Sequence, residues 1–298
     1  MPDARPSADF RRLAAELAAQ DGRATMQPVI EKELLHYEIL NAMDEAGHLD
    51  RLTFQGGTCL RLCYSAERYS EDLDFAGGTD FAADDVPGLA DLLATAVASR
   101  YAVEVEVDAP RTPVVLDDSG IGVDTWLIKV VTAPARPDLP KQRISVRIAN
   151  VPAHTRLVNP VQVQYSGLPA SYGQILAVCE SAEEICADKL EAFVTSRFVR
   201  HRDLWDIRWL SLRPGFDTDQ LPDLLARKLA DYRAQKVFSD GLGRLADLPK
   251  VVEDGAFAAQ LRRFLPAATV ERTLDRPAFR MDLVARVLDT YRQAGVSW

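Results

Sequence analysis

The order helix, strand, helix and then a run of strands, followed by sustained helical periodicity, predicts an α/β chain of the α+β type. A small mixed-sheet lobe over 1–173 is expected to lead into an α-helical lobe over 174–298. Three observations carry this. A Gly-Gly pair joins a strand end at Phe54 to a helix opening at Thr58. Apolar and charged residues alternate through Asp72-Leu73-Asp74-Phe75 and again through Tyr101 to Val107. Beyond Cys179, apolar residues recur at intervals of three and four instead.

In chain order, an amphipathic helix is expected from Asp9 to Ala19 and a longer one from Val29 to Ala46, with Ile30, Leu34, Tyr37, Leu40 and Met43 inward. Glu31, Lys32 and Glu33 are read mostly on its wet side. Leu52 to Phe54 is a strand end, the next helix runs to about Ala66, and Asp72 to Phe75 is a strand. Gly77-Gly78 turns the chain into a helix from Asp85-Val86-Pro87 to about Ser99. Strands follow at Tyr101–Val107, Thr125–Thr132 and Arg143–Ala149, with a turn-rich stretch at 134–140. Punctuated by proline and glycine, 152–173 reads as a link between lobes. Helices are then expected to the end, including Asp219–Arg233 and Arg280–Gln293, the latter burying Leu283, Val287 and Tyr291.

The 298 residues suffice for two lobes, and 47% hydrophobic with 27% charged residues is the balance of a soluble globular protein. No run approaches the ~18 apolar residues of a membrane span. The opening Met1-Pro2-Asp3-Ala4-Arg5-Pro6 leads into no apolar core of a signal peptide, so a cytoplasmic location with no membrane partner is expected. A net charge of −9 argues against broad affinity for nucleic acid. It leaves room for a local basic surface, such as Arg197 to Arg202 or Arg262-Arg263. Cys59, Cys63, Cys179 and Cys186 form no Cys-x-x-Cys pair and the four histidines are scattered. Buried free thiols are therefore expected, with neither zinc nor a disulfide framework.

The chemistry concentrates between Phe54 and Phe75. Glycines at 56 and 57 let backbone approach a ligand, and the helix opened by Thr58 presents unpaired N–H groups suited to phosphate. A strand's period of two puts Asp72 and Asp74 on one face, where they repel unless a cation sits between them. Such a pair suits Mg²⁺, which keeps its waters and binds substrate phosphates. A phosphate cradle beside metal-holding carboxylates is the equipment of nucleotidyl transfer. In the second lobe, Ile185, Lys189 and Phe193 share a stripe, so Lys189 must snorkel out or meet an anion. Glu184, Asp188 and Glu191 are read on a more solvated face, and Asp203 and Asp206 share a face of the next helix.

The Gly-Gly-Thr turn with Arg68-Tyr69-Ser70-Glu71-Asp72-Leu73-Asp74-Phe75, then Ala187-Asp188-Lys189-Leu190 and Arg202-Asp203-Leu204-Trp205-Asp206, resembles the AbiEii/AbiGii toxins. That family, to which the mycobacterial MenT toxins are related, lies within the DNA polymerase β-like nucleotidyltransferases. The resemblance covers about 31–210 and implies a toxin of a toxin–antitoxin or phage-defence pair. It would transfer NMP from an NTP with Mg²⁺, the tRNA 3′ end leading as acceptor, and would have a cognate antitoxin. By that resemblance Asp72, Asp74, Lys189 and Asp206 are catalytic, Asp72 and Asp74 hold metal, and Gly56, Gly57, Thr58, Ser70, Arg202 and Asp203 contact the nucleotide. One departure stands out. The superfamily's third carboxylate is expected on 143–149, which carries Arg147 and no acid. Asp124, Glu104 and Glu106 are the alternatives, unless two strand carboxylates suffice. Arg147 then contacts phosphate or faces solvent. A non-catalytic nucleotide- or partner-binding module on the same fold is the competing reading.

Overall fold

The computed structural model describes residues 7–20, 23–110, 121–136 and 138–298; the opening residues 1–6 and Pro137 of the turn-rich stretch lie outside them. Two compact units emerge, one ending at Cys179 and one running from Glu180 to Trp298. The division expected after residue 173 falls later because Leu176–Cys179 is a strand of the first unit's sheet.

The first unit runs α1 (Ser7–Gln20), α2 (Gln27–Glu45), β1 (Thr53–Gln55), α3 (Gly56–Cys63), β2 (Leu73–Ala76), α4 (Leu89–Tyr101), β3 (Glu104–Asp108), β4 (Val123–Val131), β5 (Gln142–Ala149), β6 (Leu157–Pro160) and β7 (Leu176–Cys179). Among the described residues, seven strands form one mixed sheet in the order β3-β4-β5-β2-β1-β7-β6. At its centre β2 runs antiparallel to β1 and parallel to β5. Leu73 and Phe75 point into the core, where Phe75 stacks on Phe54 at 4.9 Å, so Asp72 and Asp74 take the opposite face.

The buried side of α2 departs from the expectation that its acidic run is wet. Glu33 is 1% exposed because it lies three residues after Ile30 and four before Tyr37, on the inward stripe. Its carboxylate meets Arg61 of α3 bidentately at 2.8 and 3.1 Å, and that guanidinium also lies 4.3 Å over the Tyr69 ring. Glu31 is buried too, accepting from Gln142 at 2.8 Å. The link expected at 152–173 supplies β6, which pairs with β7 at the sheet edge. Tyr101 ends α4 instead of opening a strand, its hydroxyl donating to Leu34 O at 3.0 Å, and β3 starts only at Glu104.

The second unit is helical throughout: α5 (Ala182–Thr195), α6 (His201–Ser211), α7 (Leu221–Asp231), α8 (Gln235–Gly241), α9 (Leu248–Glu253), α10 (Gly255–Arg262), α11 (Ala267–Arg272) and α12 (Pro277–Gln293). Ser181 caps α5, its hydroxyl accepting from the Glu184 N–H at 3.1 Å. Leu283, Val287 and Tyr291 of α12 are fully buried, as their spacing predicts. The acidic face of α5 is not solvated. Glu184 is fully buried and Glu191 is 8% exposed, because α7 packs there and sends Lys228 inward. Lys228 Nζ lies 2.7 Å from Glu180, 2.8 Å from Glu184 and 3.1 Å from Asp188.

Burial pushes Glu191 up from 4.5 to about 7, with Thr195 Oγ1 donating to its carboxylate at 2.7 Å. A carboxyl that holds its proton more tightly when folded stabilises below its unfolded value and loses that stability as pH rises through 7. Glu191→Gln is therefore expected to flatten the stability profile between pH 5 and 8 by about 2–3 kcal/mol, read by urea unfolding at both pH values. An unchanged slope would return Glu191 to the solvated face.

Candidate active site

The turn between β1 and α3 is built for close approach. Gly56 has φ +75°, and a Cβ there would stand 3.1 Å from Asp74 Oδ2. At Gly57 a Cβ would meet Arg68 Nη2 at 2.7 Å and Ser70 Oγ at 2.8 Å. Arg68, buried and donating to Tyr69 O at 2.7 Å, thus braces the turn from the segment that leads into β2. The Thr58 hydroxyl donates to Asp72 O, which leaves the first backbone N–H groups of α3, rather than this side chain, to meet an anion. Gly57→Ala is expected to cost about 1–3 kcal/mol, because a buried arginine must yield to the methyl, and the thermal midpoint reads it. Unaltered stability would mean that the turn relaxes freely.

Asp72 and Asp74 emerge together on the face away from the core. Asp72 Oδ1 accepts from the Ser145 backbone N–H at 3.1 Å. Arg147 stands beside Asp74 in the β2–β5 register and supplies the cation that the pair requires. Its Nη2 donates to Asp72 Oδ2 at 2.5 Å. Its Nε lies 2.9 Å from Asp74 Oδ1, an ionic contact in which the Nε–H is out of line for a hydrogen bond. Arg147 is thus neither a solvent-facing spectator nor a replacement oxygen ligand; it is the counter-ion of both carboxylates.

The alternatives for a third acid do not reach this row. Asp124 registers with Ile148 and so lies on the opposite face from Arg147; burial raises its pKa. Glu104 and Glu106 sit on β3, three strands and roughly 14 Å from β2. Glu106 is engaged there by Lys129 at 3.3 Å. A different oxygen does stand in the row. Gln55 registers with Asp74 across β1, and its Oε1 is buried with no hydrogen-bond donor among the described residues. Nothing in the sequence beyond its place before Gly56 singles it out. Two carboxylates and this orphaned amide oxygen form an all-oxygen donor set that fits a hard divalent cation.

In the second unit, Lys189 meets anions in place of solvent. Its Nζ lies 3.2 Å from Asp203 Oδ1 and 2.7 Å from Asp206 Oδ2, all three side chains being nearly buried. Arg200 also binds Asp203, whose pKa is lowered by Lys189 and Arg200 against the effect of burial. Arg202 lies 4.9 Å over the Phe264 ring. Of the residues that carry the sequence resemblance, Lys189, Asp203 and Asp206 therefore form one cluster across α5 and α6, whereas Asp188 turns to Lys228 and Arg202 to Phe264.

A family model described as "Nucleotidyl transferase AbiEii toxin, Type IV TA system" matches residues 38–284. The chain belongs to this family. As an AbiEii nucleotidyltransferase it is an enzyme, of a family that acts on NTP with a divalent metal and is paired with an antitoxin. Two solved structures align with the AbiEii chain at 18% identity: JHP933 from Helicobacter pylori, with TM-score 0.46, covering 90% of this chain and 93% of that one; and a chain provisionally described as an H. pylori nucleotidyltransferase, with TM-score 0.45, covering 90% and 96%. Among curated proteins, none matches. No helix among the described residues is long and apolar enough to cross a membrane.

Proposed function

We propose that this AbiEii protein transfers NMP from an NTP to the 3′ end of tRNA in an Mg²⁺-dependent reaction, as the toxin of a toxin–antitoxin or phage-defence pair in the cytoplasm. The observation that carries the transfer chemistry is the contact between the turn and the carboxylate pair: Gly56 lies against Asp74, so a phosphate received by the turn would lie beside the acids. Asp72, Asp74 and Gln55 Oε1 would hold the ion. Bound there, Mg²⁺ would stabilise charge at the α-phosphate and on the attacking and leaving oxygens. Backbone N–H groups at Gly56, Gly57 and Thr58 orient the phosphates, with Ser70 beside them. Lys189, Arg202, Asp203 and Asp206 are carried as nucleotide-directed residues on the family resemblance, as is the tRNA acceptor.

Arg147 must leave the carboxylates when a divalent ion takes them, and its side chain, 40% exposed, has room to swing. Arg147→Met is expected to raise Mg²⁺ affinity about tenfold, the equivalent of one to two half-exposed ion pairs removed from the competition. Calorimetric titration with MgCl₂ measures it. Equal affinities would show that arginine and metal do not compete.

Arg147's hold on both acids also favours a second reading, nucleotide or partner binding without transfer. Label transfer from each α-labelled NTP to total tRNA and to whole-cell protein decides. Label on tRNA supports the proposal, and label on protein keeps the chemistry while replacing the acceptor. NTP binding with no label anywhere favours the binding module.

A further inference from the structure

The fold gathers three thiols that are dispersed in the sequence. Cys59 and Cys63 lie one turn apart on α3, and Cys179 ends β7, registered with Phe54 of β1. Their three sulfurs all lie within 4.8 Å of one another. Cys59 and Cys179 are fully buried and Cys63 is 6% exposed. Metal–sulfur bonds of ~2.3 Å in tetrahedral directions put sulfurs about 3.8 Å apart, so closing on an ion needs shifts of an ångström or less. A disulfide suits the trio less well. The two helical cysteines are separated by about 5–6 Å at Cβ, beyond disulfide reach, and pairing either with Cys179 strands the other.

A fourth group points to charged sulfur. On β6, the Asn159 amide nitrogen is buried beside Cys179 and Tyr64, placed to donate to either. A neutral thiol is a weak acceptor, whereas a metal-bound thiolate is a strong one that draws such outer donors. We infer that Cys59, Cys63 and Cys179 form a trithiolate site for one thiophilic d¹⁰ divalent cation of the Zn²⁺ and Cd²⁺ class, with Asn159 donating to the Cys179 sulfur. On binding, three S–H protons leave to solvent as three metal–sulfur bonds form. The site keeps one negative charge, which the Asn159 N–H faces. The bound ion ties α3 to β7 and so to β1, the strand that delivers the Gly-Gly turn. The site stands whether or not the chain modifies tRNA.

Titration of the reduced full-length protein with Cd²⁺ tests this through the ultraviolet sulfur-to-cadmium charge-transfer band. The band is expected to saturate at one equivalent, to disappear on chelation and to be displaced by Zn²⁺. Cys186→Ser, which alters a buried thiol outside the trio, is expected to leave it unchanged. Asn159→Ala should weaken binding ~10–100-fold, and Cys63→Ala by more than that. The wild type alone also gives a readout, because Cd²⁺ is expected to raise its thermal midpoint. No saturable band and no midpoint shift in the wild type would overturn the site, as would a band equally lost in Cys186→Ser. A mass showing a native disulfide within the trio would also overturn it.

Discussion

Asp74→Ala is expected to abolish nucleotidyl transfer, with a loss of about a thousandfold or more, while leaving the fold intact. The size follows from losing a carboxylate that would hold the ion stabilising charge at the reacting phosphate, where one lost electrostatic group commonly costs about 10²–10³-fold. This side chain also faces the turn and shares a counter-ion with Asp72, so its loss disturbs the cation, the acid pair and the phosphate position together. Stability should change by less than about 1 kcal/mol, because the carboxylate is part-exposed and Arg147 keeps its contact with Asp72. Label transfer from α-labelled NTP and the thermal midpoint are to be measured on one preparation. Wild-type turnover in the variant would remove the β2 face from the reaction. A collapsed midpoint would give Asp74 a structural role instead.

The parts of this site that were legible in the sequence are those whose signal is local. A Gly-Gly pair between a strand end and a helix, and carboxylates two residues apart beside Leu73 and Phe75, state their geometry within one short stretch. Pairing across the sheet is not local. The register that sets Arg147 beside Asp74 joins strands about 70 residues apart in the chain, and the one that sets Gln55 on the other side depends on how β1 and β2 pair. The alternation of β5 left Arg147 equally suited to solvent or phosphate. The same limit applies to charge. Glu33, Glu184 and Glu191 read as solvated because their helices look amphipathic, yet each lies where another element covers it. Glu33 is neutralised by Arg61 and Glu184 by Lys228, partners that no local pattern identifies. β6 and β7 were missed for a further reason. Proline and glycine punctuate their surroundings, and Leu157, Val158 and Leu176 expose apolar side chains at the sheet edge, so neither strand shows clean alternation.

Lys228→Ala is expected to cost the second unit about 3–5 kcal/mol, the range for removing one partner of a buried ion pair, and this site has more than one. Lys228, Glu180 and Glu184 are fully buried at the side chain and Asp188 is 20% exposed, leaving one ammonium to serve three carboxyls. Glu180 and Asp188 already have raised pKa values, chiefly from burial, while Lys228 draws them down. Without the lysine those carboxyls would rise further. Acids held above their unfolded pKa stabilise the folded state below that unfolded value, and the contribution is lost as pH rises through the folded one. The deficit of the variant relative to wild type should therefore be larger at pH 8 than at pH 5.5. Urea unfolding followed by tryptophan fluorescence at both pH values makes the comparison. Lys228→Met separates volume from charge, since its chain refills much of the space and restores no cation. A loss independent of pH, or one that methionine repairs, would make Lys228 a packing residue. A loss that grows with pH in both variants would mean that its ammonium holds α7 onto α5.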